Sequence, residues 1–124
     1  MDGDVKRLTT DSGELTGITG LTSPGDRFTA LAFTFASATL RMHCDDDTDE
    51  ILVEVVEHDP GYPSVSSGSL GNLVGMRLEY AWALTNHRGY SDAFQLRFTD
   101  GRGRDETRQF EVAASAMDVR RLVE

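Results

Sequence analysis

One seven-residue stretch holds an unusual number of side chains that could do chemistry. Its sequence, Asn-His-Arg-Gly-Tyr-Ser-Asp, runs from Asn86 to Asp92. His87 has the side chain of a general base, and Asp92 is near enough in sequence to orient it. Arg88 could hold an anion, and Tyr90 could donate a proton or contact a partner. We therefore take five residues as candidate binding residues, with no catalytic assignment: Asn86, His87, Arg88, Tyr90 and Asp92.

A structural interpretation of this stretch competes with the functional one. Asn86 and Asp92 can close a hairpin through hydrogen bonds from side chain to backbone, and Gly89 can take the positive φ of a tight turn. Tyr90 would then cover the edge of the core. Both interpretations stay open from the sequence.

Two strands of alternating polar and apolar residues flank the stretch. The first has apolar residues on one face at Leu78, Tyr80, Trp82 and Leu84, and the second at Phe94, Leu96 and Phe98. Cross-strand pairs of such side chains stabilise a sheet by about 0.2–1 kcal/mol each. We therefore expect both sets to pack in the core, including Tyr80 and the only tryptophan, Trp82.

Alternation of period two also dominates the rest of the chain. It predicts further strands over 14–21, 28–35, 39–44, 51–57 and 107–113. A short helical turn is predicted over 70–75, whereas 114–124 fits either a helix or a strand. The predicted fold is all-β, or β-rich α+β. It is an antiparallel meander of six to eight strands curled into a sandwich or half barrel, with at most one or two short helices.

The length of 124 residues suits a single β-rich domain, 1–124. Residues 1–12 are expected to be flexible, and 59–69 to form the longest loop, since Pro60, Gly61 and Pro63 break any regular pattern. No apolar run is long enough for a membrane span, and no apolar segment follows Met1 as in a secretory signal. With a single cysteine, Cys44, these features predict a cytoplasmic protein.

The net charge of −9 is distributed unevenly along the chain. Residues 1–59 hold 13 acidic and 4 basic residues, whereas 60–124 hold 8 of each. Such a charge disfavours nucleic acid and anionic membranes as partners and favours a basic protein. A solvated acidic face that aids solubility is the alternative explanation.

An acidic turn resembles part of a calcium loop but departs from the pattern. Asp45, Asp47 and Asp49 occupy its first, third and fifth positions, yet Glu50 replaces the glycine and Val56 the bidentate glutamate. A hairpin turn with Asx hydrogen bonds is the prediction.

Other cofactor and nucleophile patterns are missing. Adjacent strand residues such as His43 and Cys44 face opposite sides, so no zinc site is predicted. The chain has no GxSxG elbow and no phosphate-binding glycine motif. We therefore predict no metal and no cofactor.

The order of these segments resembles a family of small, stand-alone bacterial proteins known only as a domain of unknown function. The similarity rests on the Trp82 strand, the stretch 84–92, the Phe98 strand, 111–116 and the Asp-rich segment 40–53. It covers most of the chain from Phe28 onward. The resemblance implies no activity and no functional residues. It implies that the 86–92 loop and the Ala-Ser-Ala segment are characteristic features.

The leading hypothesis is a non-enzymatic protein-binding module, immunity-like or regulatory, with a basic protein as partner. One alternative is a small-ligand binder or enzyme that uses the 86–92 loop. Another is a homo-oligomeric structural protein, such as a homodimer joined through a β edge or the Trp82 face.

Overall fold

The architecture was obtained as a computed structural model. It describes residues 9, 13–24, 27–45, 47–58, 60–65, 68–85, 89, 91–113 and 115–122. Apart from Thr9, the segment 1–12 that was predicted to be flexible lies outside these residues.

Eight antiparallel strands and one short 3₁₀ helix make up the described structure, which confirms the all-β prediction. In chain order they are β1 (Leu15–Ser23), β2 (Arg27–Phe35), β3 (Thr39–Cys44), β4 (Ile51–Val56), the 3₁₀ helix (Gly68–Leu73), β5 (Arg77–Thr85), β6 (Ser91–Thr99), β7 (Asp105–Ala113) and β8 (Ala116–Leu122). The strand predictions agree with these bounds to within a few residues.

The strands form one sheet that curls into a half-barrel. Its order is β4-β3-β2-β8-β7-β6-β5, and β1 pairs with β2 off this path. The start of β1 also reaches the start of β5, where Glu14 and Arg77 form an isolated bridge. The Leu15 N–H donates to the Met76 carbonyl there at 2.8 Å. This link joins two strands that are distant in the sheet order, so the sheet encloses a core.

The core occupies the inner face of the curled sheet. Phe33 on β2 lies at its centre, with its ring 6.2 Å from Phe98 and 5.9 Å from Phe110. Leu70 and Leu73 of the 3₁₀ helix are buried in the same cluster. The helix therefore packs its apolar residues into the core, in agreement with the predicted helical turn.

The long loop after β4 adds to the sheet at β1. The Gly20 N–H donates to the Pro63 carbonyl, and the Val65 N–H donates to the Ile18 carbonyl, both at 2.9 Å. Gly20 has no room for a side chain, because a Cβ there would lie 2.9 Å from both the Ala30 carbonyl oxygen and a Leu31 methyl. The close approach of β1 to β2 therefore depends on this glycine.

The segment 114–124, left open between helix and strand, contains β8. Its register places Val119 opposite Phe110. Arg27 fastens the turn before it, because its NH2 group donates to the carbonyls of Ala113 and Ala116. Arg27 Nε also lies 3.1 Å from Asp118 Oδ1. Tertiary contacts of this kind select the strand over the helix.

Candidate functional site

The predicted 86–92 loop follows β5, but its last two residues, Ser91 and Asp92, belong to β6. Residues Thr85 and Ser91 are register partners, so the predicted hairpin is present. Gly89 has φ of 86°, as the turn interpretation requires. Asn86, His87, Arg88 and Tyr90 lie outside the described residues. Asp92 is half-buried near the start of β6. The role of these residues stays a prediction.

A β-bulge at Glu79 changes the direction of the β5 side chains. Leu78 pairs with Phe98, but the next residue of β6, Arg97, pairs with Tyr80. Glu79 is therefore an extra residue in the ladder. Because side chains alternate strictly along a regular strand, one extra residue moves all later side chains to the opposite face.

The expectation that Tyr80 and Trp82 pack in the core is therefore wrong. Leu78 is 2% exposed, whereas Tyr80 is 52% and Trp82 is 36% exposed. Ala81 packs against the core in their place. The sequence shows the periodicity of the strand but not the bulge, so it could not indicate which residues face outward.

Tyr80 and Trp82 form an aromatic pair on the outer face of the sheet. Their ring centroids are 6.1 Å apart, with an edge-to-face angle of 71°. The Arg97 guanidinium lies 5.9 Å from the centre of the Tyr80 ring, within range of a cation–π interaction. We call Tyr80, Trp82 and Arg97 the aromatic patch.

Two carboxylates orient the arginine of the aromatic patch. Arg97 NH2 donates to Asp105 Oδ2 at 2.9 Å, and its Nε lies 3.7 Å from Glu79 Oε1. The hydrogen bond from Arg97, together with one from Thr99, lowers the pKa of Asp105 below its ordinary value. Arg97 is thus held over Tyr80 while the two rings stay open to a partner. Sequence reasoning missed this arginine because its position beside Tyr80 depends on the bulge.

A polar ladder continues the outer face beyond the aromatic patch. Gln95, opposite Trp82 on β5, donates to the side chain of Gln109 on β7. Gln109 in turn donates to Glu111, which pairs with Arg120 on β8 at 3.2 Å. An aromatic area with a polar rim is the usual anatomy of a protein interface.

The acidic turn between β3 and β4 has the predicted Asx hydrogen bond. The Asp47 N–H donates to Asp45 Oδ1 at 2.9 Å. Asp49 Oδ1 accepts from the backbone N–H of Ser115 at 3.1 Å and from its hydroxyl at 3.3 Å. The middle residue of the Ala-Ser-Ala segment thus joins the two turns. Across the described ranges, no three His, Cys, Asp or Glu side chains are grouped to hold a metal ion.

A second polar group lies on the outer face of β3. Arg41 Nε donates to the Tyr62 hydroxyl at 3.0 Å and also contacts Glu54. The neighbouring His43 has its pKa lowered, first by burial and then by Arg41. The hydrogen bond from Arg41 to Tyr62 ties the long loop to the sheet, so we assign this group a structural role.

Comparison with known proteins identifies a family but no activity. A model of the Family of unknown function (DUF6334) matches residues 1–124. A search of curated proteins finds no match, and neither does a search of solved structures. In the described part of the chain, no helix is both long and apolar enough to cross a membrane. The chain belongs to the DUF6334 family, which agrees with the resemblance drawn from its segments.

Proposed function

We propose that this member of the DUF6334 family is a non-enzymatic, immunity-like or regulatory module of the cytoplasm that binds a basic protein through the aromatic patch. The exposure of Tyr80 and Trp82 carries the proposal. Fully burying a large apolar side chain contributes about 1.5–3 kcal/mol, and folding of the isolated chain leaves part of this unused because both rings remain partly exposed. A partner that covers both rings would gain this energy.

The residue types of the patch favour a protein as the ligand. Trp, Tyr and Arg are the residues most enriched among those that dominate binding energies. Both rings sit on adjacent outward positions of one strand, and Arg97 is already fixed by Asp105. Little side-chain freedom is therefore lost on binding, and this lowers the entropic cost of association.

The charge of the chain favours a basic partner. Between residues 42 and 76 there are eight acidic residues and no Lys or Arg. This segment contains the β3–β4 turn and β4, so its charge is concentrated in one part of the sheet. Long-range attraction would speed encounter with a cationic protein, while the aromatic patch would supply the short-range contact.

Site-specific photo-crosslinking in cells of the source organism tests this proposal. A benzophenone amino acid replaces Trp82 in one variant and Val74 in a matched control. Val74 is 50% exposed but lies outside the aromatic patch. We expect position 82, and not position 74, to cross-link to one protein with a basic isoelectric point. When the cross-linking is repeated in a cell lysate, the yield should fall as salt is raised.

Three results would contradict the proposal. Equal cross-linking at both positions would show contact without specificity, and no cross-linking at position 82 would show that the patch is unoccupied. A cross-link from position 82 to a second copy of the chain would instead support the homodimer alternative. Sedimentation of the purified protein over a range of concentrations would then show the dimer directly.

A further inference from the structure

A cluster of three arginines around one glutamate lies at the end of the inner face away from the β5–β6 loop. Glu106 and Arg108 are on β7, Arg121 is on β8, and Arg104 ends the turn before β7. Arg108 is fully buried and Glu106 is 5% exposed. Side chains of Arg104 and Arg121 are 55% and 53% exposed. We call these four residues the arginine cluster.

The arginine cluster has an excess of positive charge. The Glu106 carboxylate lies 2.9 Å from Arg121 and 3.5 Å from each of Arg104 and Arg108. Among the described residues, the Glu106 carboxylate contacts all three guanidiniums, and Asp100 also attracts Arg104. Screening in salt limits the influence of the distant acidic residues, so the local charge determines what binds here.

Sheet register brings two of these positive charges face to face. Arg108 and Arg121 are direct partners in the β7–β8 ladder. Like charges in such positions destabilise a sheet. The pKa of Arg108 is lowered by its burial and by the nearby Arg121 and Arg104, against the opposing effect of Glu106. An additional negative charge would relieve this repulsion.

The two exposed arginines, Arg104 and Arg121, present their guanidiniums side by side to the solvent. Arg104 NH2 and Arg121 NH2 both approach the same oxygen, Glu106 Oε1, so the two nitrogens are near neighbours. Arg121 uses Nε and NH2 to hold Glu106. Its remaining N–H groups, and those of Arg104, can donate to the oxygens of an anion, which guanidinium groups bind through paired hydrogen bonds.

We propose that Arg104 and Arg121 bind a phosphate group, either free phosphate or a small phosphate monoester, at the open end of the arginine cluster. Glu106 holds the two guanidiniums in position, and the buried charge of Arg108 strengthens the field that attracts the anion. This site shares no residue with the aromatic patch, so the phosphate proposal and the proposed function can be contradicted independently.

Calorimetric titration at constant ionic strength tests the site. Sodium phosphate and methyl phosphate are titrated into the full chain at neutral pH, with sodium chloride as the reference salt. We expect saturable binding of phosphate or its ester but not of chloride. Tighter binding of the ester would identify a phosphorylated small molecule as the ligand, and tighter binding of free phosphate would identify the inorganic anion.

Three variants test whether the phosphate binds at Arg104 and Arg121. Arg104→Gln and Arg121→Gln should each weaken phosphate binding by about tenfold or more, because each removes charged hydrogen bonds. Arg120→Gln is the matched control, since Arg120 precedes Arg121 but pairs with Glu111 on the outer face. If loss of Arg121 unfolds the chain, Arg104→Gln still tests the site, because Arg104 is mostly exposed. Phosphate binding no stronger than that of chloride, or equal in Arg104→Gln and Arg120→Gln, would overturn the proposal.

Discussion

Two groups of aromatic side chains lie on opposite faces of the same sheet. Phe33, Phe98 and Phe110 are fully buried on the inner face, whereas Tyr80 and Trp82 are exposed on the outer face. Both groups belong to strands with the same alternating pattern. The difference arises from one extra residue, Glu79. After Leu78 it turns the side chains of β5 to the opposite face of the sheet. Local register, more than residue type, therefore determines which aromatics stabilise the fold and which are available to a partner.

The largest effect should come from removing the centre of the inner group. Phe33→Ala is expected to destabilise the protein by about 3–5 kcal/mol, because it leaves a cavity between Phe98 and Phe110. Urea denaturation followed by circular dichroism measures the change. Tyr80→Ala is the control on the outer face. Equal losses in the two variants would show that the two faces do not differ as described.

Removing the carboxylate of the arginine cluster should destabilise the protein somewhat less than Phe33→Ala does. Glu106→Gln removes the carboxylate that faces the buried Arg108. The free energy of unfolding should fall by about 3 kcal/mol, the lower end of the range for a buried ion pair, because Arg121 is half exposed. Denaturant unfolding at neutral pH measures the loss. Glu111→Gln, which removes an ion pair on the outer face, is the control and should have little effect.

The same glutamate should make stability sensitive to acid. Burial raises the pKa of Glu106, but the combined attraction of Arg108 and Arg121 outweighs this and lowers it below the ordinary value of 4.5. Its contribution is therefore complete above that value and is lost as the pH falls through the lowered pKa. Unfolding free energies measured across the acid range should decline less steeply in Glu106→Gln than in the wild type. Parallel curves would contradict this linkage.

A smaller loss of stability is expected from a side chain added at Gly20, where β1 packs closely against β2. Gly20→Ala should cost about 1–3 kcal/mol, because its Cβ would overlap the Ala30 carbonyl and the Leu31 side chain. Gly17→Ala on the same strand is a matched control, since no atom lies within 4 Å of a Cβ built there. Thermal denaturation of the two variants compares them. A Gly17→Ala loss as large as that of Gly20→Ala would mean that strand propensity, and not contact, sets the cost.

The smallest effect on stability should come from the outer pair. Trp82→Ala is expected to change the free energy of unfolding by about 1 kcal/mol, since the side chain lies on the outer face and is already partly exposed. Denaturation in urea, followed by circular dichroism, measures it. A loss comparable to that of Phe33→Ala would show that Trp82 belongs to the core.

Much of the fold could be predicted from the sequence, because alternation of polar and apolar residues is strong in most strands. The bounds of β3 were predicted without error, and the half-barrel was one of two expected forms. The bulge at Glu79 could not be predicted, since glutamate carries no signal for an extra residue in a ladder. Arg108 could have been noticed, because it shares the face of Phe110 two residues later and so had to be buried.

The prediction of a site in the 86–92 loop stays a prediction, unlike that of the fold. The sequence directs attention to the loop 86–92, of which Gly89, Ser91 and Asp92 belong to the described residues. Tyr80 and Trp82 of the flanking strand β5, which we expected in the core, lie on the outer face instead. Residue types at a turn indicate chemistry, but exposure is decided by register and tertiary packing, which a single sequence does not show.

Fluorescence quenching of Trp82 most directly tests the claim that the aromatic patch is open to a partner. Trp82 is the only tryptophan, so all of the tryptophan emission comes from the patch. In the dilute native protein, we predict emission and acrylamide quenching that lie between those of a buried tryptophan and those of the chain unfolded in urea, because Trp82 is 36% exposed. Blue-shifted emission with strong protection from acrylamide, released only on unfolding, would contradict the account.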